Sequence, residues 1–360
     1  MIAETKFETL SSRLEDKKFV KTWLSLTYSC NNCCTGCYAT SQLLNYPQKE
    51  IAKEKAEDIL NLLNELNINR LTLIGGEPTK YSYLEKIIKF GSGKDIEISM
   101  VSNGRNLKDK DLARRLKQSG LSQVTISIYG PTAEIHDRMT GVRGSFIETM
   151  GGIDTCTKED IKLSTNTVIS NVNYKVLPQI INLLKDKEIT EMAFNLFIPP
   201  INVNQREEEI MTIKESLSAF TDVYQIAKQL NKKVILVTPA PICLLDKDIK
   251  EEIIQKGIVY GGPCQLIDGR SFAIDFNGDI LPCTHLIGYP LFNIFEDGKI
   301  ITARKFRKKY FEQAGQGFEF KKIVNHYPSE KCKKDNCSEN CTGGCPLLWL
   351  KHRTSKELVK

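Results

Sequence analysis

No apolar run in this chain approaches the roughly 18 residues of a membrane helix. The opening stretch MIAETKFETLSSRLEDKKF has neither the apolar core nor the small-residue cleavage site of a secretory signal. Internal repeats and low-complexity tracts are absent, which excludes solenoid and fibrous architectures. The net charge of +6 is modest and gathers in ARKFRKKYF (303–311) and EKCKKDN (330–336). A basic patch could meet nucleic acid or an acidic partner protein, but surface charges mostly just solvate, so both stretches read as solvated faces. The expectation is a cytoplasmic protein with neither membrane nor nucleic acid as a partner. With 360 residues, 41% hydrophobic and 26% charged, it is globular and large enough for one or two domains.

Cysteine is scarce through the middle of the chain. Of 12 in all, only Cys156 and Cys243 lie between residues 38 and 263. The rest crowd the two ends, and in a reducing compartment such crowding points to metal ligation rather than disulfides.

The N-terminal two-thirds alternates strand-like and helix-like segments. TWLSLTY (22–28) alternates as a strand. AEDILNLLNEL (56–66) sets Ala56, Ile59, Leu60, Leu63 and Leu66 on one helical face. The same rhythm continues through RLTLIGG (70–76), IEISMVSNG (96–104), LARRLKQSG (112–120), QVTISIYG (123–130), LSTNTVIS (163–170) and MAFNLFIPP (192–200). Six strands spaced by helices predict parallel βαβ units and an α/β fold. The expected form is a partial (β/α)6 TIM-like barrel, open on one side, with its chemistry at the C-terminal strand ends. IPPINVNQREEEI (198–210) reads as a linker. IKESLSAFTDVYQIAKQL (213–230) reads as a bridging helix, with Ile213, Leu217, Phe220, Tyr224 and Ala227 along one face. From 240 onward Gly, Pro and Cys dominate, and SFAIDFNGDILPC (271–283) reads as a hairpin around Asn277-Gly278. The expected divisions are a barrel at 1–205, a bridge at 206–239, and a loop-rich, cysteine-rich domain at 240–360.

SCNNCCTGCYAT (29–40) follows the first strand directly, so it sits at the mouth of the expected barrel. Cys30, Cys34 and Cys37 are spaced CxxxCxxC. Structural zinc uses four ligands, commonly in paired CxxC knuckles, and a ferredoxin-type cluster uses four thiolates. Three thiolates on a four-iron cluster leave one iron open. Cys33 and Cys34 are chain neighbours whose side chains diverge, so Cys33 is taken as a bystander.

CxxxCxxC followed by the aromatic Tyr38 resembles the signature of the radical S-adenosylmethionine enzymes. That resemblance implies a [4Fe–4S] cluster on Cys30, Cys34 and Cys37, whose open iron binds the amino and carboxylate groups of S-adenosylmethionine. It further implies reductive cleavage of that cofactor to a 5′-deoxyadenosyl radical, which abstracts a hydrogen atom from substrate. GGEP (75–78) resembles the family segment that meets the methionine amino group. The two glycines would let backbone approach a ligand, and Glu77 would pair with the ammonium, with Pro78 closing the motif. Taken alone, GGEP equally suits a simple strand-to-helix turn. Ser102 and Asn103 end the third strand. Ser127 on the fourth would meet the ribose or carboxylate, with an arginine shortly after it, Arg138 or Arg143. Asn166 and Leu196 hold the corresponding places on strands five and six. His136 and Asp137 are read as organising the loop after the fourth strand rather than as acid and base.

The C-terminal cysteines resemble the SPASM domain, which binds auxiliary iron–sulfur clusters. Cys264 and Cys283 flank the hairpin, with Gly278 five before the second. CKKDNCSENCTGGCP (332–346) is spaced CxxxxCxxxCxxxC where the family usually has CxxCxxxxxCxxxC. Asp335 stands in place of the shifted cysteine, and the nearest replacement for a missing downstream cysteine is His352. By resemblance Cys264, Cys283 and Cys345 hold one auxiliary cluster, and Cys332, Cys337 and Cys341 the other. Cys243 is a further thiol open to recruitment.

Members similar to this chain mostly modify ribosomally made peptides, by thioether or carbon–carbon crosslinks, oxidation or epimerisation. A peptide partner and a flavodoxin- or ferredoxin-type reductant are thus implied. Only 29 residues precede Cys30, so a leader-recognition module is expected on a separate protein or not at all. Cys33, Cys243 and Cys156 are the thiols available as hydrogen-atom donors. The alternatives are an aminoglycoside-like small-molecule substrate and, from another class, a zinc-stabilised protein without catalysis.

Overall fold

The computed structural model describes residues 19–46, 49–200, 211–245, 249–252, 264, 269–312 and 344–348. The first strand, β1 (Lys21–Thr27), buries Leu24 and Leu26 completely and leads into the cysteine loop. After the short α1 (Thr40–Asn45), α2 (Lys53–Glu65) presents Ala56, Ile59, Leu60 and Leu63 to the core, the face the 3.6-residue period predicted. Burying side chains of this size stabilises by about 1.5–3 kcal/mol each.

The units β2 (Arg70–Gly75) with α3 (Leu84–Ser92), β3 (Glu97–Ser102) with α4 (Lys110–Gln118), and β4 (Leu121–Ser127) with α5 (Ala133–Thr140) and α6 (Ser145–Lys158) follow in turn. Next come β5 (Leu163–Ile169), α7 (Leu177–Leu184) and β6 (Glu191–Leu196). Local chemistry starts two of the helices. Asp109 accepts from the Asp111 and Leu112 N–H groups at the head of α4. Thr212 and Glu215 form a capping box on α8 (Ile213–Gln229), whose Ile213, Leu217, Phe220, Tyr224 and Ala227 are buried.

Strands β1 to β6 pair in sequence, all parallel, as expected of a partial TIM-like barrel. The sheet then runs past both ends of the predicted six. β7 (Val234–Leu236), inside the expected bridge, pairs parallel with β6. On the other flank β8 (Ser271–Ile274) pairs parallel with β1, from Lys21↔Ser271 to Leu24↔Ile274. It then turns back at Asn277-Gly278 into β9 (Asp279–Leu281), the hairpin the sequence predicted, and β10 (Phe292–Asn293) follows. Among the described residues the result is one ten-stranded sheet. A separate ribbon of β11 (Phe295–Glu296) and β12 (Lys299–Ile300) precedes α9 (Ala303–Glu312). Phe306 and Tyr310 of α9 pack on Phe19 and Phe272, joining α9 to β8 and to the residues before β1. The C-terminal ends of β1–β6 thus face one rim, where the cysteine loop lies.

Candidate functional site

The cysteine loop is held to the rim from three sides. The Cys33 N–H donates to the Thr140 carbonyl (2.8 Å) and the Thr35 N–H to that of Met139 (3.0 Å), at the end of α5. Asn103 Nδ2 donates to Asn31 Oδ1 (2.6 Å). From the β2 side, Gly76 N–H donates to Thr27 O (2.7 Å) and Glu77 N–H to Ser29 O (2.9 Å).

That last contact explains the two glycines. A Cβ on Gly75, whose φ is +136°, would stand 2.3 Å from Thr27 O, and one on Gly76 would stand 2.6 Å from Ser29 O. The backbone they approach is the chain's own, at the start of the cysteine loop. Glu77 follows directly on these glycines. It is 1% exposed and fully engaged within the protein. Its Oε1 accepts from Thr79 N–H and Oγ1 and from Ser102 Oγ, and its Oε2 accepts from Asn103 N–H. Burial still pushes its carboxyl pKa up against those four donors. Pro78 begins the short turn that follows. Glu77 therefore ties the β2 rim to the β3 rim.

Cys30, Cys34 and Cys37 are half-buried, while Cys33 is exposed. Burial pushes Cys30 up to about 11 and Cys34 up to about 12, and it raises Cys37. The negative charges of Cys37 and Cys30 push Cys34 further the same way, so the three sulfurs lie in one another's field. Asn32 N–H donates to Cys30 Sγ (3.4 Å). A set of soft thiols supplied with N–H donors suits an iron–sulfur cluster. Among the described residues no three His, Cys, Asp or Glu side chains converge on a single metal-ion position. A four-iron cluster takes each thiolate on a different iron, so its ligand sulfurs do not meet at one point.

Tyr38 reaches across to Gly75, its hydroxyl donating to that carbonyl at 3.4 Å. Ser127 ends β4 opposite Asn166 of β5, and Asn166 Oδ1 accepts from Asn195. Leu196, which ends β6, is buried. Arg138 and Arg143 are exposed. Asp137 accepts from Gly144 N–H, Ser145 Oγ and Phe146 N–H, and buried His136 takes the Tyr129 N–H on Nδ1. Both organise the loop between β4 and α6, as the sequence suggested. Of the thiol donors named from sequence, Cys156 is a residue of α6, wholly buried in the apolar core, where burial pushes it up to about 12. Cys243 is exposed.

A second thiol group stands beside the first. Cys264 and Cys345 are buried and Cys283 is half-buried. Burial raises Cys345, as do the charges of Cys264 and Cys283. Cys332, Cys337, Cys341, Asp335 and His352 lie outside the described residues. Sequence reasoning missed four side chains here. His285 packs its ring 5.4 Å from that of Tyr38 and its Nδ1 3.9 Å from Cys283 Sγ, so it bridges the two thiol groups. Tyr129 feels the charges of Cys34, Cys37 and Cys30. Arg105 clamps the loop between Cys30 and Cys33. Asp275 binds Tyr28 and Gln42 on either side of that loop. Position alone marked two of these beforehand: His285 is two residues past a predicted ligand, and Tyr129 two past Ser127.

Residues 24–184 match the profile of the radical SAM superfamily. The matched stretch runs from β1 to the end of α7. It is 27% identical over 232 residues to the Fe-coproporphyrin III synthase of Methanosarcina barkeri, an alignment covering 64% of this chain and 56% of that protein. The chain spans roughly half the length of the first curated relatives it matches. Among solved structures it is similar to anSMEcpe with bound AdoMet and Cp18Cys peptide, at TM-score 0.69 and 18% identity, with 91% of this chain and 89% of that one covered. It is also similar to Streptococcus suis SuiB bound to precursor peptide SuiA, at TM-score 0.62 and 15% identity, with 94% and 75% covered. At these identities the two structures speak for the radical SAM fold alone, and the fold expectation stands. Among the described residues no helix is long and apolar enough to cross a membrane.

Proposed function

We propose that this chain is a radical S-adenosylmethionine enzyme that modifies a peptide, with residues 240–360 acting as a SPASM-type region. The observation that carries the reading is the thiol trio of Cys30, Cys34 and Cys37 at the rim where β1, β2 and β3 end. What an iron–sulfur cluster brings when bound there is the electron for reductive cleavage of S-adenosylmethionine. The chain's own part is placement. Cys30, Cys34 and Cys37 hold the cluster. The Gly75 and Gly76 backbone, Tyr38, Ser127 and Asn166 line the place for the cofactor. Glu77, Ser102 and Asn103 hold that lining in shape rather than touching the ligand. Cys264, Cys283 and Cys345 take an auxiliary cluster, and Cys332, Cys337 and Cys341 a second.

The peptide half of the reading is supported by the peptide-bound states of the two fold neighbours. Cys33, exposed at the rim, is the thiol placed to donate a hydrogen atom if the modification is an epimerisation. The test is co-expression with short peptides encoded beside the gene, read by mass spectrometry. A mass change that requires Cys30 supports the reading. The likeness to an Fe-coproporphyrin III synthase favours a second one, a small-molecule substrate. Peptides left unmodified, with 5′-deoxyadenosine released only when a small molecule is added, would decide for it.

A further inference from the structure

Along β4, β5 and β6 one face of the sheet is open. Ser127, Asn166 and Asn195 are half-buried, and the residues on either side of each are buried. The register sets Ser127 beside Asn166, and Asn166 beside Ala193, two residues before Asn195. Successive side chains of a strand point to opposite faces, so these three share the open one.

A directed row of hydrogen bonds crosses that face. It starts at a backbone group, where Leu196 N–H donates to Thr238 Oγ1 at 3.0 Å, just past β7. A backbone N–H can only donate, so the Thr238 hydroxyl accepts there and keeps its one hydrogen to give. It gives it to Asn195 Oδ1, at 3.1 Å. Asn195 then turns its NH2 to Asn166 Oδ1, at 2.5 Å. With that oxygen taken, Asn166 presents its own NH2 as a donor, and among the described residues nothing accepts from it. Thr238 is buried, so the row is anchored away from solvent.

We propose that Asn195 and Thr238 are positioning residues for S-adenosylmethionine, whose row of hydrogen bonds turns the Asn166 amide so that its NH2, and not its oxygen, meets an acceptor oxygen of the cofactor. The inference rests on the reading that Asn166 lines the cofactor's place. It gives a part to two residues that act only through a third. A carboxylate or ribose oxygen of S-adenosylmethionine can take such a bond, whereas an amide turned the other way would set oxygen against a carboxylate oxygen. An amide fixed before the ligand arrives also has less freedom to lose on binding.

The test is equilibrium dialysis of S-adenosylmethionine against the iron-reconstituted full chain, with iron content and the urea midpoint measured on each variant. Asn166→Asp replaces the NH2 with oxygen and is expected to weaken binding by about fivefold. Asn195→Asp leaves Asn166 itself unaltered. Its new carboxylate still takes the Thr238 hydroxyl and offers oxygen to Asn166, whose amide must turn over to meet it. Binding is expected to weaken by a similar factor, with iron retained. Thr238→Val removes the hydroxyl that orients Asn195 and is expected to weaken binding by about threefold. Thr238→Ser keeps the hydroxyl and is expected to bind as wild type does. Wild-type affinity in Asn195→Asp, with Asn166→Asp weakened, overturns the proposal. So does a Thr238→Ser protein as weak as Thr238→Val, since packing and not the hydroxyl would then matter. Wild-type affinity in Asn166→Asp overturns the underlying reading instead.

Discussion

Cys33 and Cys34 are adjacent in the chain and differ in surroundings. Cys34 is half-buried in the field of Cys37 and Cys30, whereas Cys33 is exposed with its backbone tied to Thr140. Replacing Cys30, Cys34 or Cys37 with Ala should abolish reductive S-adenosylmethionine cleavage and the iron it depends on. Cys33→Ala should keep both. Iron analysis and 5′-deoxyadenosine release check this, and a Cys33→Ala protein without iron would refute the register. A second residue-scale expectation concerns His136. Burial lowers its pKa from 6.5 to about 4, so the folded protein holds it neutral. The stabilisation is fully present above pH 6.5 and is lost as pH falls towards 4, because the unfolded chain takes the proton first. His136→Asn keeps an acceptor for the Tyr129 N–H and cannot titrate. Relative to that variant, wild type should lose about 2 kcal/mol of stability between pH 7 and pH 5, measured by urea unfolding. Equal losses in the two proteins would show that His136 carries no such penalty.

Between elements, the junction that matters most to the site joins β1 to β8. Tyr28, just past β1, donates to Asp275 Oδ1 at 2.5 Å, and Gln42 of α1 donates to Asp275 Oδ2 at 3.0 Å. Asp275 is 1% exposed and follows β8 directly. Both flanks of the cysteine loop are therefore bonded to one carboxylate from the C-terminal part of the chain. Asp275→Ala leaves two buried donors unpaired and should cost about 3 kcal/mol, seen as a lower urea midpoint. A loss below about 0.5 kcal/mol would mean that water or a new rotamer replaces the carboxylate. This junction also marks the limit of what the sequence disclosed. Periodicity located β1 to β6, the face of α2 and the turn at Asn277-Gly278, because each is set by side chains within a few residues. The parallel pairing of β8 with β1 spans some 250 residues, and SFAI carries no mark of its partner. The same holds within the site. Cys30, Cys34 and Cys37 declared themselves by spacing. The motif around Glu77 did not disclose its bonds to Ser102 and Asn103, which the fold brings from the next strand.

At the scale of the molecule, the continuous sheet brings two thiol groups from opposite ends of the chain together, with Tyr38 and His285 in ring contact between them. Three clusters of four irons would give about twelve irons per chain. If the C-terminal thiols serve the second half of a reaction, their loss should leave the first half running. Changing Cys264, Cys283 and Cys345 together to Ala should remove about a third of the iron. It should leave S-adenosylmethionine cleavage measurable and stop modification of the peptide. The first two effects follow from separation, since on the proposed reading the Cys30 loop would supply the catalytic thiols without any C-terminal ligand. The third follows from closeness, because an auxiliary cluster at Cys283 would stand beside Tyr38 at the rim, where a product radical needs an electron acceptor. Peptide modified at the wild-type rate by that variant would mean that these thiols have a structural part only. Loss of cleavage together with modification would mean that Cys283 and His285 support the catalytic site across the Tyr38 contact, and unfolding midpoints of the variant would separate that outcome from simple loss of the fold.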